Sequence, residues 1–156
     1  MSDDEQPARP ASEQARALGV REESRVLLLD PPLGFARKLE PLPRGATVAT
    51  RPFGQADLIA LFASSQAVLG ELLQKAMGAL APRGHLFCAW PRRASGIFTD
   101  LNEELVRAAG LAHALSDDKL LALDESWSAL RFVFKERPRL SRPGSQPGVS
   151  ASRPGA

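Results

Sequence analysis

The chain has one cysteine, Cys88, in 156 residues, so it cannot close an internal disulfide. A lone thiol fits a reducing compartment. Its two histidines, His85 and His113, are far apart, and no Cys/His spacing suggests zinc. No apolar run approaches the roughly 18 residues that a membrane span needs. The amino terminus, Met1-Ser2-Asp3-Asp4-Glu5, is acidic where a secretory signal would be basic and then apolar. There is no phosphate-binding P-loop, no G-x-S-x-G and no nucleophile–base pair. These absences lead to an expectation of a soluble cytoplasmic protein without a membrane partner, a metal site or catalytic residues.

What is present suits one domain. Hydrophobic residues make up 44% of the chain and charged residues 24%, enough for a core at this length. The net charge of +2 is unevenly spread. Residues 1–23 carry a balance of −3, residues 24–136 a balance of +1, and residues 137–156 a balance of +4 from four arginines. That last segment also holds four prolines, four serines and three glycines, with two large aliphatic residues. It cannot bury enough surface to offset the entropy of ordering. The expected organisation is a disordered 1–11, a single domain over 12–136 and a disordered basic tail over 137–156.

Within the domain, strand and helix patterns alternate. Residues 12–19 form a short helix capped by Ser12. Arg25–Asp30 reads as a buried strand through Val26-Leu27-Leu28-Leu29, and Pro31-Pro32-Leu33-Gly34 breaks it. Phe35–Leu39 reads as a short helix, then Ala46–Thr50 and Asp57–Ala63 as strands. The clearest helix is Ser65–Leu80, where Leu69, Leu72, Leu73, Ala76 and Leu80 recur at helical spacing. Pro82-Arg83-Gly84 ends it before a strand over His85–Trp90. A second amphipathic helix is expected over Asp100–Ala109, capped by Thr99 and stopped by Gly110, with Leu101, Leu105 and Val106 facing inward. Lys119–Asp124 and Ala129–Lys135 read as two strands. Glu125–Ser128 between them is too short for a parallel crossover. The fold class is therefore α/β and Rossmann-like. About six strands make a mostly parallel sheet ending in an antiparallel hairpin, with helices on both faces. The link Arg51–Ala56 reaches about 20 Å, which barely permits a parallel crossover, so the strand order there stays open.

This arrangement resembles the S-adenosylmethionine-dependent methyltransferase fold. Three stretches carry a narrower resemblance: Ala89-Trp90-Pro91-Arg92-Arg93-Ala94-Ser95-Gly96 with Thr99-Asp100-Leu101, Asp124-Glu125-Ser126-Trp127-Ser128 running into Ala129–Val133, and the opening Val26–Phe35. Over residues 16–136 the chain is similar to a bacterial family of uncharacterised methyltransferase-like domains of unknown function. The resemblance implies the fold but no particular chemistry. Working methyltransferases of this fold place a glycine-rich loop after the first strand and an acidic residue after the second. Here those positions hold Asp30-Pro31-Pro32-Leu33-Gly34 and Thr50-Arg51. Two prolines remove two N–H donors, and arginine offers no acceptor. Both changes argue against the usual cofactor mode, so the expectation is no cofactor, with S-adenosylmethionine kept as the alternative.

Ligands of open α/β sheets sit beyond the carboxyl ends of the strands. Asp30, Arg51, Ser64, Trp90 and Asp124 all fall at such ends. The candidate ligand-binding set is Asp30, Arg51, Trp90, Arg92, Arg93, Ser95, Gly96, Thr99, Asp124, Glu125, Trp127 and Arg131. Arg92 and Arg93 before a helix start suit a phosphate or carboxylate. Trp90 and Trp127 suit a planar ligand or a partner, or else core packing of the hairpin. Asp124 and Glu125 are paired carboxylates that suit acid–base work or a metal, or else, as the preferred reading, turn N–H groups or a pair with Arg131. Cys88 alternates with apolar neighbours and reads as inert core. The expected function is a non-catalytic binding or regulatory module. Its rim, formed by W-P-R-R-A-S-G and D-E-S-W-S, takes an anionic small molecule or a protein partner. The alternative is an S-adenosylmethionine-dependent methyltransferase with an atypical cofactor loop. A second alternative is a nucleic-acid accessory protein acting through the tail, although four charges without aromatics make nucleic acid an unexpected partner.

Overall fold

Val26–Leu29 is apolar at every position because its strand is covered on both faces. In the computed structural model, which describes residues 10–135, this strand is β1, Arg25–Leu29, and it lies inside a six-stranded sheet. The sheet also contains β2 (Thr47–Ala49), β3 (Ala56–Phe62), β4 (Leu80–Pro91), β5 (Leu115–Ala122) and β6 (Trp127–Phe134). The order is β2-β1-β3-β4-β6-β5. The first four strands are mutually parallel, β6 is antiparallel to β4, and β5 is antiparallel to β6. The expected α/β Rossmann-like fold with a closing antiparallel hairpin is what forms. The disordered ends foreseen over 1–11 and 137–156 lie almost entirely outside the described residues, as does any role of the basic tail.

Alternation along each strand divides the core. Leu27, Leu29, Ile59, Leu61, Leu86, Cys88 and Leu130 face one way and meet the helices α3 (Gln66–Ala79) and α4 (Glu103–Leu111). Val26, Leu28, Leu58, Ala60, Phe62, Phe87 and Ala129 face the other way. There they meet α1 (Glu13–Leu18) and α2 (Phe35–Lys38), through Ala15, Leu18 and Phe35. Ser12 caps α1 as expected, its Oγ accepting from the Ala15 N–H at 2.9 Å.

The short link between β2 and β3 does make a parallel crossover. Ala49 is level with Leu27, and Leu27 with Ile59, only three residues beyond the start of β3. The chain returns about 10 Å along the strands and crosses β1, which is within reach of its six residues. The Arg25 guanidinium over the Phe53 ring, 4.7 Å from its centroid, fixes the return near the start of β1.

Several boundaries differ from expectation. Helix α3 ends at Ala79, one residue before the expected Leu80, and no loop over Pro82–Gly84 follows it. Leu80 already has extended backbone (φ −79°, ψ 125°) and pairs with Ala56, so the strand begins without a loop. Pro82–Gly84 forms an irregularity inside β4, where the ladder jumps from Ala56↔Leu80 to Leu58↔His85. Helix α4 is capped by Asn102 rather than Thr99, with Asn102 Oδ1 accepting from the Leu105 N–H at 2.9 Å. Thr99 Oγ1 instead accepts from Leu101 N–H, and Asp100 Oδ1 accepts from Gln66 N–H at the start of α3. Gly110 does not stop α4. It lies inside the helix at a place where a Cβ would run into the Phe132 ring. Leu101 and Val106 are buried as expected, whereas Leu105 is exposed. The hairpin strands begin earlier than expected, and the turn shifts to residues 123–126, closed by Leu123 N–H donating to Trp127 O at 2.8 Å. A register shift between Asp117 and Lys119 interrupts β5.

Candidate functional site

The strand order reverses direction at β1. The chain leaves β1 for β2 on one side and returns to β3 on the other. Such a switch point opens a crevice outside the carboxyl ends of the two diverging strands. In this strand order that place falls between the loop after β1 and the loop after β3. Asp30 ends β1 at φ +54°, a left-handed conformation that aspartate tolerates. Pro31, Pro32 and the wholly exposed Leu33 follow, and Gly34 turns the chain at φ +85° into α2. Ser64 and Ser65 leave β3, and the Ser65 Oγ caps α3 by accepting from Val68 N–H. Arg51 is exposed beyond the end of β2.

The two tryptophan segments meet, but their rings do not. Pro91 stands opposite Trp127 and Trp90 opposite Ser128 in the β4–β6 ladder. Residues one step apart point to opposite faces. Trp90, only 7% exposed, packs in the α3/α4 layer. Trp127 is half-buried in the α1/α2 layer, its ring edge-on to Phe62 at 5.3 Å. What the segments share is backbone and arginine. Arg92 N–H donates to Ser126 O at 2.8 Å, and Arg92 Nη1 donates to Asp124 O at 3.0 Å.

Beyond β4 the loop 92–99 walls a groove of about 780 Å³ with Trp90, Arg92, Arg93, Phe98 and Ser128 on its surface. Ser95 Oγ accepts from Ile97 N–H, and Gly96 at φ +78° reverses the loop. This turn holds Ile97 and Phe98 out in solvent, Phe98 at 89% exposure. The one acid on this wall, Glu103, is engaged by Arg107 at 2.6 Å. Arg107 is also held by Asp117, and the two carboxylates push its pKa up through their hydrogen bonds. The guanidinium groups of Arg92 and Arg93 therefore set the sign of charge in the groove.

Asp124 is the most engaged of the predicted residues. Its Oδ1 accepts from Ser126 N–H (2.8 Å) and Trp127 N–H (3.0 Å), and its Oδ2 accepts from Lys38 Nζ at 3.0 Å. Burial raises the carboxyl pKa, but the hydrogen bonds from Ser126, Lys38 and Trp127 outweigh it, and the net shift is downward. Arg131 is not brought to the rim. It pairs with Asp118 at 2.8 Å and lines a groove with Asp57 at the opposite end of the sheet. Neither Asp124 nor Glu125 uses it as a partner. Burial pushes the Cys88 thiol up, which keeps it protonated and unreactive. Lys38, Asn102 and Phe98 were not foreseen as site residues. A lysine ending a one-turn helix carries no signal in the sequence of what it faces.

Among the described residues, no cluster of His, Cys, Asp and Glu could hold a metal ion, and no helix is long and apolar enough to cross a membrane. No protein-family model and no curated protein matches the chain in sequence. Solved structures do match. A SAM dependent methyltransferase from Aquifex aeolicus superposes with a TM-score of 0.57 at 11% identity, over 77% of this chain and 87% of that one. A DhpI–SAH complex superposes with a TM-score of 0.53 at 14% identity, over 77% and 80% of the two chains. The ribosomal protein L11 methylase from Lactobacillus delbrueckii subsp. bulgaricus gives 0.50 at 12% identity, over 79% and 75%. These neighbours correct the expectation of a fold without a cofactor, which rested on the prolines and on Arg51. At these identities the likeness concerns architecture. The chain has the methyltransferase-like Rossmann fold.

Proposed function

We propose that the switch-point crevice binds S-adenosylmethionine or its product S-adenosylhomocysteine, and that the chain is an S-adenosylmethionine-dependent methyltransferase with an unusual loop. The observation that carries this reading is the reversal of strand order at β1, the place where ligands of open α/β sheets bind, with a basic groove one strand beyond β3. The neighbour described as SAM dependent, and the one described as an SAH complex, support the choice of ligand.

The residues at the crevice fit such a ligand in part. Asp30 offers a carboxylate to an ammonium group or a hydroxyl, and Thr50 and Ser64 offer hydroxyls at neighbouring strand ends. The absence of an acid at Thr50-Arg51 leaves those hydroxyls, rather than a second carboxylate, to meet a ribose. Bound S-adenosylmethionine supplies an electrophilic methyl group. The chain's own part is then to hold the acceptor. Arg92 and Arg93 suit an acceptor with a carboxylate or phosphate, and the exposed Phe98 suits a flat apolar body beside it. This keeps the anionic small molecule foreseen for the rim and gives it the role of acceptor.

Calorimetric titration tests the reading directly. S-adenosylhomocysteine should bind with micromolar affinity, and Asp30→Ala should weaken it about tenfold, the worth of a charged hydrogen bond. Absence of heat with both nucleosides would remove the ligand from the proposal. A binding module without transfer is the second reading, favoured by the Pro31-Pro32 stiffening of the loop. It predicts tight binding but no passage of labelled methyl to small carboxylate or phosphate acceptors.

A further inference from the structure

Helix α2 is a single turn of four residues, Phe35–Lys38. A helix this short has no stability of its own, so its position is set by what grips it. It also carries the β1 loop. Phe35 N–H donates to Pro32 O at 3.0 Å, and Lys38 N–H donates to Gly34 O at 3.3 Å. Whatever fixes α2 therefore fixes the wall of the switch-point crevice.

Two grips come from the D-E-S-W segment, far away in sequence. Asp124 reaches α2 through the ion pair with Lys38. Trp127 reaches it through aromatic edges, Trp127 against Phe62 at 5.3 Å and Phe62 against Phe35 at 4.8 Å. The two oxygens of Asp124 have separate duties. Oδ1 holds the hairpin turn, and Oδ2 holds Lys38. The turn is in turn locked to β4 by Arg92, through Asp124 O and Ser126 O.

We propose that residues 124–127 form a bracket for the β1 loop, in which Asp124 acts through Lys38 as the positioning residue of the ligand crevice. Its bearing on ligand affinity rests on the S-adenosyl reading above, whereas its bearing on the loop does not. The motif first read as a ligand contact then acts one step away, by shaping the crevice.

The test separates the two oxygens. Asp124→Asn keeps an acceptor for the Ser126 and Trp127 amides but loses the charge that holds Lys38. In hydrogen exchange on the full chain, the amides of Phe35, Lys38 and Leu39 should exchange about two- to fivefold faster, the range of a partly exposed ion pair. The Ser126 and Trp127 amides should keep their protection. Lys38→Met should give the same acceleration, the double variant no more than either single one, and Lys38→Arg should restore protection. S-adenosylhomocysteine affinity should fall by a matching factor, with the melting temperature lowered by no more than about 3 °C. Unchanged exchange at Phe35–Leu39, or additive effects in the double variant, would overturn the bracket. Accelerated exchange in variants of a parent chain that gives no heat with the nucleoside would uphold the bracket and remove the S-adenosyl site instead.

Discussion

The two faces of the sheet are finished unequally. One is roofed by α3 and α4, 14 and 9 residues long. The other carries α1 and α2, only 6 and 4 residues long. Each face holds one tryptophan near the same strand ends, and the residue type is the same while the surroundings are not. Trp90 lies under long helices and is buried, and Trp127 lies under short ones and stays partly open. The thick face supplies stability. The thin face leaves pieces that side-chain links must hold in place, and those pieces border the crevice. On the proposed reading, function at this rim depends on tethers that add little to the overall stability.

That contrast can be pressed experimentally. Trp90→Ala removes a fully packed indole and should cost about 4 kcal/mol, read from urea midpoints. Gly110→Val drives a side chain into the buried Phe132 ring on the same face and should cost about 3 kcal/mol by the same measurement. Trp127→Ala, on the thin face, should cost about 2 kcal/mol, because the ring is already half in solvent. A cost for Trp127 equal to that for Trp90 would erase the distinction between the faces. The smallest effect belongs to Asp124→Asn, about 0.5 kcal/mol or less of global stability. Its pH signature fixes the sign. The folded-state pKa of Asp124 is lowered, so its contribution is full above the ordinary carboxylate range and disappears as pH falls through the lowered value. The stability gap between the parent chain and Asp124→Asn should therefore close on acidification, and a gap that widened instead would contradict the direction of the shift.

Much of this was legible in the sequence because it follows from periodicity. The apolar run of β1, the stripe of α3 and the short hairpin connection fixed the class of fold. The misplaced boundaries share a physical cause. Thr99, Asp100 and Asn102 are all good caps, and only the packing of the α4 start against α3 selects among them. Gly110 reads as a stop until Phe132 is seen against it. The candidate site was legible as a place and less so as a set of contacts. Strand ends mark the rim, but one residue of register decides which face a tryptophan takes, and the sequence does not contain the register. Arg131 was misassigned for a related reason. It is four residues beyond Trp127 on a strand, and that distance carries it to the other end of the sheet.

The outer border of the sheet has a colloidal consequence. Among the described residues, strand β5 is the last in the order, and its outer side offers peptide groups to any other chain. The shift between Asp117 and Lys119, with Asp118 drawn to Arg131, breaks that border with charge at its middle. Concentrated solutions should therefore stay clear. Exchanging Asp118 and Lys119 for valine would leave a continuous sticky margin and turn this border into a seed for precipitation.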